Sequence, residues 1–122
     1  MTKTFLAIVL VIAAVAGAWG PSWAGDCARA NADGSIVEGR LIVRDDAFIL
    51  KMPQGLCLKG DDEFDRVDAT TELHVFGADD AVQDALRTLA GKDAHLRGRL
   101  MGAHTQHHKA PIIMEVSEAA AP

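Results

Sequence analysis

The sequence has no tyrosine, and aromatic residues make up only 5% of its 122 residues. Its formal net charge is −5, with 17 acidic against 12 basic side chains. Proteins that bind single-stranded nucleic acid without sequence preference combine stacked aromatic side chains with a positively charged groove. The scarcity of both features argues against nucleic acid as a partner.

Recurrent catalytic motifs are also missing. The sequence contains no G-x-S-x-G, no H-E-x-x-H and no phosphate-binding glycine loop. Thr105 lies among histidines and could imitate a nucleophile beside a base, but turn threonines more often bond the loop backbone through their hydroxyl. We therefore expect that the protein is not an enzyme.

The longest apolar run lies at the N-terminus. Lys3 precedes a run from Phe5 to Trp19, which suits a signal-peptide core and is shorter than the roughly 20 residues of a bilayer span. Ser22-Trp23-Ala24 offers the small residues that a signal peptidase recognises. We predict that residues 1–24 are a signal peptide and that the protein is periplasmic or secreted, without a membrane span after cleavage. Removing Lys3 leaves 11 basic and 17 acidic side chains, a net charge of −6.

Only two cysteines are present, Cys27 and Cys57, and neither belongs to a C-x-x-C motif. An even cysteine count in an exported protein predicts a disulfide, with two buried free thiols as the alternative. Closing such a loop of about 30 residues would stabilise the fold by roughly 3–4 kcal/mol.

Alternating apolar and polar residues predict five short strands. They are SIVEGRLIVRD, AFILKM, TTELHVFG, AHLRGRLMG and PIIMEV. Asp45-Asp46 is predicted to be the turn between the first two strands. Residues 53–70 are predicted to be a polar loop that carries Cys57, and the acidic run GDDEFDRVD within it reads as a solvated loop rather than a calcium site. Residues 118–122 are predicted to be a frayed tail.

One segment has a helical period. In DDAVQDALRTLAGKD, Val82, Leu86 and Leu89 form an apolar stripe. Asp79 or Asp80 can cap its start, and Gly91 suits its end. The resulting order, β-β-β-α-β-β, predicts a mainly β domain over residues 25–117, an OB-fold-like five-stranded small barrel, with a plain α+β sandwich as the alternative. Glycines at the bends of the first and fourth strands fit this barrel, namely Gly39, Gly98 and Gly102.

The predicted loop between the fourth and fifth strands, residues 103–110, is rich in histidine. Loops at this position of OB-folds flank the ligand face, so we expect a binding surface formed by His104, Thr105, His107 and His108. Pro111 is expected to constrain the loop.

The same histidines are candidate ligands for zinc or copper, because imidazole is a common metal ligand. His104, His107 and His108 would supply three ligands, and His74 or His95 a fourth. The alternatives are a structural role, in which a histidine bonds backbone groups, and a pH-sensing role.

Four arginines alternate along the first and fourth strands, and they would share a face if those strands pair. They are Arg40, Arg44, Arg97 and Arg99. A solvated face is the usual meaning of this pattern, and an anionic envelope ligand is the alternative.

A cysteine ahead of strand one, EGRL, FILKM leading to the second cysteine, and GKDAHLRGRLMGAHTQHHKAPIIMEV together resemble the bacterial domain-of-unknown-function family 4431. The most specific part is a T-x-H-H-x-x-P loop (Thr105, His107, His108, Pro111). The resemblance implies an exported, disulfide-bearing β-domain, sometimes fused to lysozyme-inhibitor-like domains, and it supplies no reaction. We therefore expect a non-enzymatic binding or envelope-associated domain whose partner is an envelope protein or a small ligand, with a lysozyme-inhibitor-like role as an alternative.

Overall fold

The computed structural model describes residues 27–105 and 107–122, so the expected signal peptide lies outside the described residues. Two short elements accompany a helix and five longer strands. In chain order they are β1 (Ala28–Arg29), β2 (Ser35–Arg44), β3 (Ala47–Lys59), a 3-10 helix (Glu63–Asp65), β4 (Val67–Gly77), α1 (Asp80–Leu89), β5 (Asp93–Gly102) and β6 (Ile112–Ala120). No helix in these ranges is long and apolar enough to cross a membrane.

The five long strands close into a barrel. β2 pairs with β3 and β5, β3 also pairs with β4, and β6 lies between β4 and β5. All of these pairs are antiparallel except β4 with β6, which is parallel. With α1 between the third and fourth barrel strands, this is the arrangement expected of an OB-fold-like barrel. The predicted fold class is confirmed.

Local sequence explains the hairpin turn between β2 and β3 and the two ends of α1. Asp45 and Asp46 both have positive φ, at 51° and 65°, which is the geometry of a two-residue hairpin turn. The side chain of Asp79 caps α1 by accepting from the N–H of Val82 at 2.9 Å. Gly91, with φ of 83°, follows the end of the helix as predicted.

A single apolar core fills the barrel. Its largest fully buried members include Leu41, Leu50, Leu73, Leu96 and Leu100. The side chains of Leu86 and Leu89 bury the predicted stripe of α1, and the helix packs against β4 and β6.

The predicted disulfide between Cys27 and Cys57 is present, with Cα atoms 4.7 Å apart. It fastens the chain just before β1, which pairs in parallel with the end of β3. The prediction that Cys57 lies in a loop over residues 53–70 is wrong, because β3 continues to Lys59 and β4 already begins at Val67. Register shifts on either side of Leu56 interrupt the β3–β4 pairing, and the exposed Pro53, which has no N–H, lies within that irregular stretch.

The C-terminal end is also more ordered than the sequence indicates. β6 continues to Ala120, whose partner on β5 is His95. The predicted frayed tail is therefore wrong for Glu118–Ala120, because pairing with β5 satisfies the backbone of this alanine-rich stretch.

Candidate functional site

The base of the histidine loop, which we define as residues 103–110, is closed by backbone contacts. The N–H of Ala103 donates to the carbonyl of Pro111 at 3.0 Å, across the neck of the loop. The N–H of Gly102 donates to the carboxylate of Asp65 at 2.9 Å. A Cβ atom on Gly102 would collide with the backbone carbonyl of Phe64, so only glycine permits this approach. The loop therefore begins from a position fixed by the connection between β3 and β4.

Gly98 has a comparable role within the strand. It lies at a register shift between β5 and β6, and a Cβ there would collide with the carbonyl of Glu115. Close backbone contacts thus explain why glycine occupies positions 98 and 102, which the sequence predicted to lie at strand bends.

The far side of the loop is held by His74 on β4. The N–H of Lys109 donates to Nδ1 of His74 at 3.1 Å, across 35 positions in sequence. A neutral imidazole accepts at one nitrogen and donates at the other, so this bond requires the tautomer with its proton on Nε2. His74 thus anchors the loop through an unprotonated nitrogen.

A second imidazole has the same role inside the loop. Nδ1 of His108 accepts from the N–H of His104 at 3.3 Å. The ring of His104 turns the other way, with its Nδ1 3.1 Å from the carbonyl of Gly102, which makes that nitrogen the donor. Two rings therefore accept from the backbone and one donates to it.

These rings form a row with Phe64. The centroids of His74 and His108 are 5.8 Å apart, those of His108 and His104 are 5.3 Å apart, and those of His104 and Phe64 are 6.4 Å apart. All three pairs have the edge-to-face geometry that aromatic rings prefer. The row connects the outer face of β4 with the turn before it.

Burial and charge both favour the neutral form of the two accepting rings. Burial lowers the pKa of His74 below its ordinary value, and positive charge on His108 and Lys109 lowers it further. Burial also lowers the pKa of His108, assisted by His104 and His107.

His74 interrupts an apolar row on the outer face of the barrel. Strand register places Ile42, Ile49, His74, Ile113 and Met101 side by side across all five barrel strands. Ile49 and Ile113 are 0% and 2% exposed although they lie outside the interior core. The histidine loop therefore attaches to the outer face at a point flanked by buried apolar side chains.

Each of the four alternating arginines has a carboxylate partner. Arg44 binds Glu72 through two bonds of 2.7 and 2.9 Å, which lower the pKa of Glu72. Because β2 and β4 flank β3, this pair crosses the outer face of β3. The other pairs are Arg40 with Asp93, Arg97 with Glu118 and Arg99 with Glu115. The pairing of β2 with β5 was the condition for these arginines to share a face, and it is met. Because each arginine lies beside a carboxylate, however, the surface is charge-balanced rather than basic.

Thr105 bonds the loop backbone, in agreement with the structural interpretation of this residue. Its hydroxyl accepts from the N–H of His107 at 3.3 Å, and it lies 3.4 Å from Nδ1 of His108. A working nucleophile and base approach more closely, and a third group usually orients the base. Among the described histidines, only His95 lies within ion-pair distance of a carboxylate, Glu38 at 2.8 Å. His108 thus has no such orienting group within the described ranges.

The predicted metal ligands do not form a shell. Across residues 27–105 and 107–122, no three His, Cys, Asp or Glu side chains are grouped so that they could hold a metal ion. Of the two candidates for a fourth ligand, His74 lies beside His108, whereas His95 lies on the part of β5 that pairs with β2. Zinc or copper binding by His104, His107 and His108 stays an untested alternative, and the described geometry does not favour it.

The exposed part of the site includes a residue that the sequence did not single out. Phe64, on the 3-10 helix, is 62% exposed. It borders a shallow depression whose other lining residues are Ala103, His104, Thr105 and His107. His104, Thr105 and His107 are three of the four predicted binding residues, whereas the fourth, His108, is half-buried. The sequence signal that could have identified Phe64 was its position as an aromatic residue within the acidic run GDDEFDRVD.

Comparison with known proteins adds one finding. Residues 72–120 match the model of a family described as Domain of unknown function (DUF4431). The chain resembles this family over that span. The match runs from β4 through α1 and β5 to the end of β6, so it includes His74 and the whole histidine loop. No curated protein and no solved structure matched the chain.

Proposed function

We propose that this chain is an exported, non-enzymatic binding module that recognises an envelope protein through the exposed end of its histidine loop. The contact surface consists of Phe64, His104, Thr105 and His107. The observation that carries the proposal is the exposure of the Phe64 side chain on a turn whose backbone packs directly against Gly102. A large aromatic side chain held on a fixed backbone is typical of residues that dominate protein–protein binding energies.

The polar surroundings of Phe64 suit a protein partner. The imidazoles of His104 and His107 are exposed and can donate and accept hydrogen bonds at the edge of the aromatic ring. Phe64 is also flanked by the exposed carboxylates of Asp61, Asp62 and Glu63. An apolar pocket edged by positive charge on the partner would complement this surface.

The disulfide supports the exported part of the proposal. Structural disulfides persist in oxidising compartments such as the periplasm and are rare in the cytosol. Cys27 and Cys57 form such a bond.

Capture from a periplasmic extract, with the disulfide-bonded protein as bait, tests the contact surface. Phe64→Ser should lose at least tenfold in affinity, a typical effect of removing a central aromatic contact. Ile36→Ser is the matched control, because Ile36 is a large apolar side chain that is 51% exposed but distant from the loop in the β2–β5 register. A captured protein counts only if purified material reproduces this difference, and a purified lysozyme serves as one defined basic probe. Equal binding by wild type and Phe64→Ser would reject the contact surface.

A further inference from the structure

We propose that His74 and His108 make the contact surface pH-sensitive. Uptake of a proton at Nδ1 of His74 removes the acceptor that ties the Lys109 N–H to β4, uptake at Nδ1 of His108 removes the acceptor of the His104 N–H inside the loop, and the histidine loop then loosens from the outer face of the barrel. This inference concerns regulation of the same surface and rests on the proposed function. It stands on the placement of the two rings, which hold opposite ends of one short segment.

Each ring uses the nitrogen that protonation would alter. Nδ1 of His74 accepts from the N–H of Lys109, and Nδ1 of His108 accepts from the N–H of His104. A protonated imidazole donates from both nitrogens and accepts at neither. Both bonds are therefore available only to the neutral rings, and protonation replaces each with two opposed donors.

Positively charged neighbours oppose the protonation of either ring: His108 and Lys109 for His74, and His104 and His107 for His108. The centroids of His74 and His108 are 5.8 Å apart, and the ammonium-bearing residue Lys109 follows His108 directly in sequence. A proton on His74 therefore lies near the imidazole of His108, and a proton on His108 lies near His74 and next to Lys109 in sequence. His74 lies on a strand that is paired with Ile49 on β3 and Ile113 on β6, so we expect the loop rather than the strand to move when a ring becomes charged.

Three of the carboxylates on the described elements around the two rings are engaged elsewhere. The charged or titratable groups on the elements around the two rings are Lys51 and Lys59 on β3, Asp68 and Glu72 on β4, Glu115 and Glu118 on β6, Glu63 and Asp65 on the 3-10 helix, and His104, His107 and Lys109 in the loop. Glu72 is held by Arg44, and Glu115 by Arg99. Asp65 accepts from the N–H of Gly102 and from the side chain of Asn31.

The consequence for the contact surface follows from chain connectivity. His104 carries one of the two N–H groups that would lose an acceptor, and its ring is the one that contacts Phe64. Loosening of the loop would therefore separate the imidazole part of the contact surface from its aromatic part. The lowered pKa values of His74 and His108 place this change on the acidic side of histidine's ordinary range, near 6.5.

Amide hydrogen exchange of the disulfide-bonded protein, followed by NMR with no partner present, tests the switch. Between about pH 7.5 and about pH 5, we expect the protection factors of the Lys109 and His104 amides to fall about tenfold, the effect of losing one hydrogen bond. The Ala30 amide, which donates to the carbonyl of Lys59, is the internal control and should not change.

Two variants separate titration from structure. In His74→Asn, Oδ1 takes the place of Nδ1 and still accepts, but it does not titrate. The Lys109 amide should then stay protected at low pH, whereas His95→Ala, on another part of the barrel, should behave as wild type. His108→Asn with the His104 amide gives the same comparison if His74→Asn does not fold.

Unchanged protection of Lys109 and His104 at low pH in wild type, or an equal loss of protection in the asparagine variants, would overturn the switch. Neither result depends on a partner. The contact surface is judged separately by the Phe64→Ser capture experiment, so failure of one proposal is distinguishable from failure of the other.

Discussion

The segment from Cys27 to Arg29 and the histidine loop both lie against the barrel without belonging to its five main strands, and they are fastened by different chemistry. Cys27 joins the first segment to β3 through a covalent bond. His74 holds the second to β4 by accepting from the N–H of Lys109, and His108 stabilises it internally by accepting from the N–H of His104. The first attachment responds to reductant and not to mild acid, and the second should respond to acid and not to reductant. On this account, one region of the barrel is held by a covalent bond at any mild pH, whereas the attachment of the other depends on pH.

Removing the covalent attachment should have the largest effect. The double variant Cys27→Ser/Cys57→Ser is expected to lose roughly 3–4 kcal/mol in the free energy of unfolding, because the unfolded chain regains the freedom of a 30-residue loop. Urea denaturation measures this loss, and wild type in reductant should match the variant. A loss below about 1 kcal/mol would show that the pairing of β1 with β3 holds the segment without the disulfide.

Gly102→Ala should have the next largest effect on stability, because it disrupts the close packing at the base of the histidine loop. The new methyl group would collide with the backbone of Phe64, which we expect to lower the free energy of unfolding by about 1–3 kcal/mol. Gly55→Ala is a milder control, since its Cβ would meet nothing closer than the Ala69 side chain at 3.2 Å. Equal stability of the two variants, measured by thermal and urea denaturation, would contradict the close approach of Gly102 and Phe64.

The strand pattern could be predicted from the sequence where alternation is regular, as in β2 and β5, and the helix could be predicted from Val82, Leu86 and Leu89. The second half of β3 was missed because Pro53, Gln54 and Gly55 look like a loop, although Leu56 and Leu58 continue the inward period of Met52. A strand interrupted by irregular pairing has no local signature once a proline and a glycine enter it.

The candidate site was only half accessible to sequence reasoning. The histidine loop could be located from its composition and its place between two predicted strands. The contact of His104 with Phe64, however, joins residues 40 positions apart, and the bond from Lys109 to His74 joins residues 35 positions apart. Such pairs depend on the strand register around the closed barrel, and this register cannot be predicted from local sequence patterns. From the sequence, His74 is only a possible metal ligand, whereas in the structure its Nδ1 accepts a hydrogen bond from the N–H of Lys109.

Removing a single imidazole anchor should have a smaller effect than either change above. His74→Ala leaves the N–H of Lys109 without its acceptor and is expected to lower the free energy of unfolding by about 1 kcal/mol. His95→Ala removes a half-exposed imidazole that bonds Glu38 and should change stability by less than about 0.5 kcal/mol. Urea denaturation at neutral pH compares them, and a larger loss in His95→Ala would reverse our ranking of the two histidines.

The stability of the whole domain should fall modestly in mild acid. The pKa values of His74 and His108 are lowered in the folded state, so the unfolded chain binds more protons near histidine's ordinary pKa. Their contribution is complete above about pH 6.5, decreases as the pH falls below that value, and levels off below the folded-state pKa values. Urea midpoints measured from about pH 8 to about pH 5 should show this slope, and His74→Asn/His108→Asn should reduce it. A midpoint that rises with acid in this range would contradict the sign.

Metal binding should have the smallest effect. We expect zinc and copper to bind the untagged protein no more tightly than they bind a pair of exposed histidines, because two Nδ1 atoms are already engaged by backbone N–H groups. Calorimetric titration at neutral pH, beside a His107→Ala/His108→Ala variant, measures this. Tight one-to-one binding that the variant abolishes would instead support a metal site at His104, His107 and His108.

The central claim, that neutral imidazoles hold the histidine loop, predicts a specific tautomer. Nitrogen-15 NMR of the histidine side chains at neutral pH measures it directly. We predict that His74 and His108 are neutral with the proton on Nε2, and that Nδ1 of His74 shows a hydrogen-bond coupling to the Lys109 amide. A proton on Nδ1 of His74, or a charged ring at neutral pH, would contradict the claim.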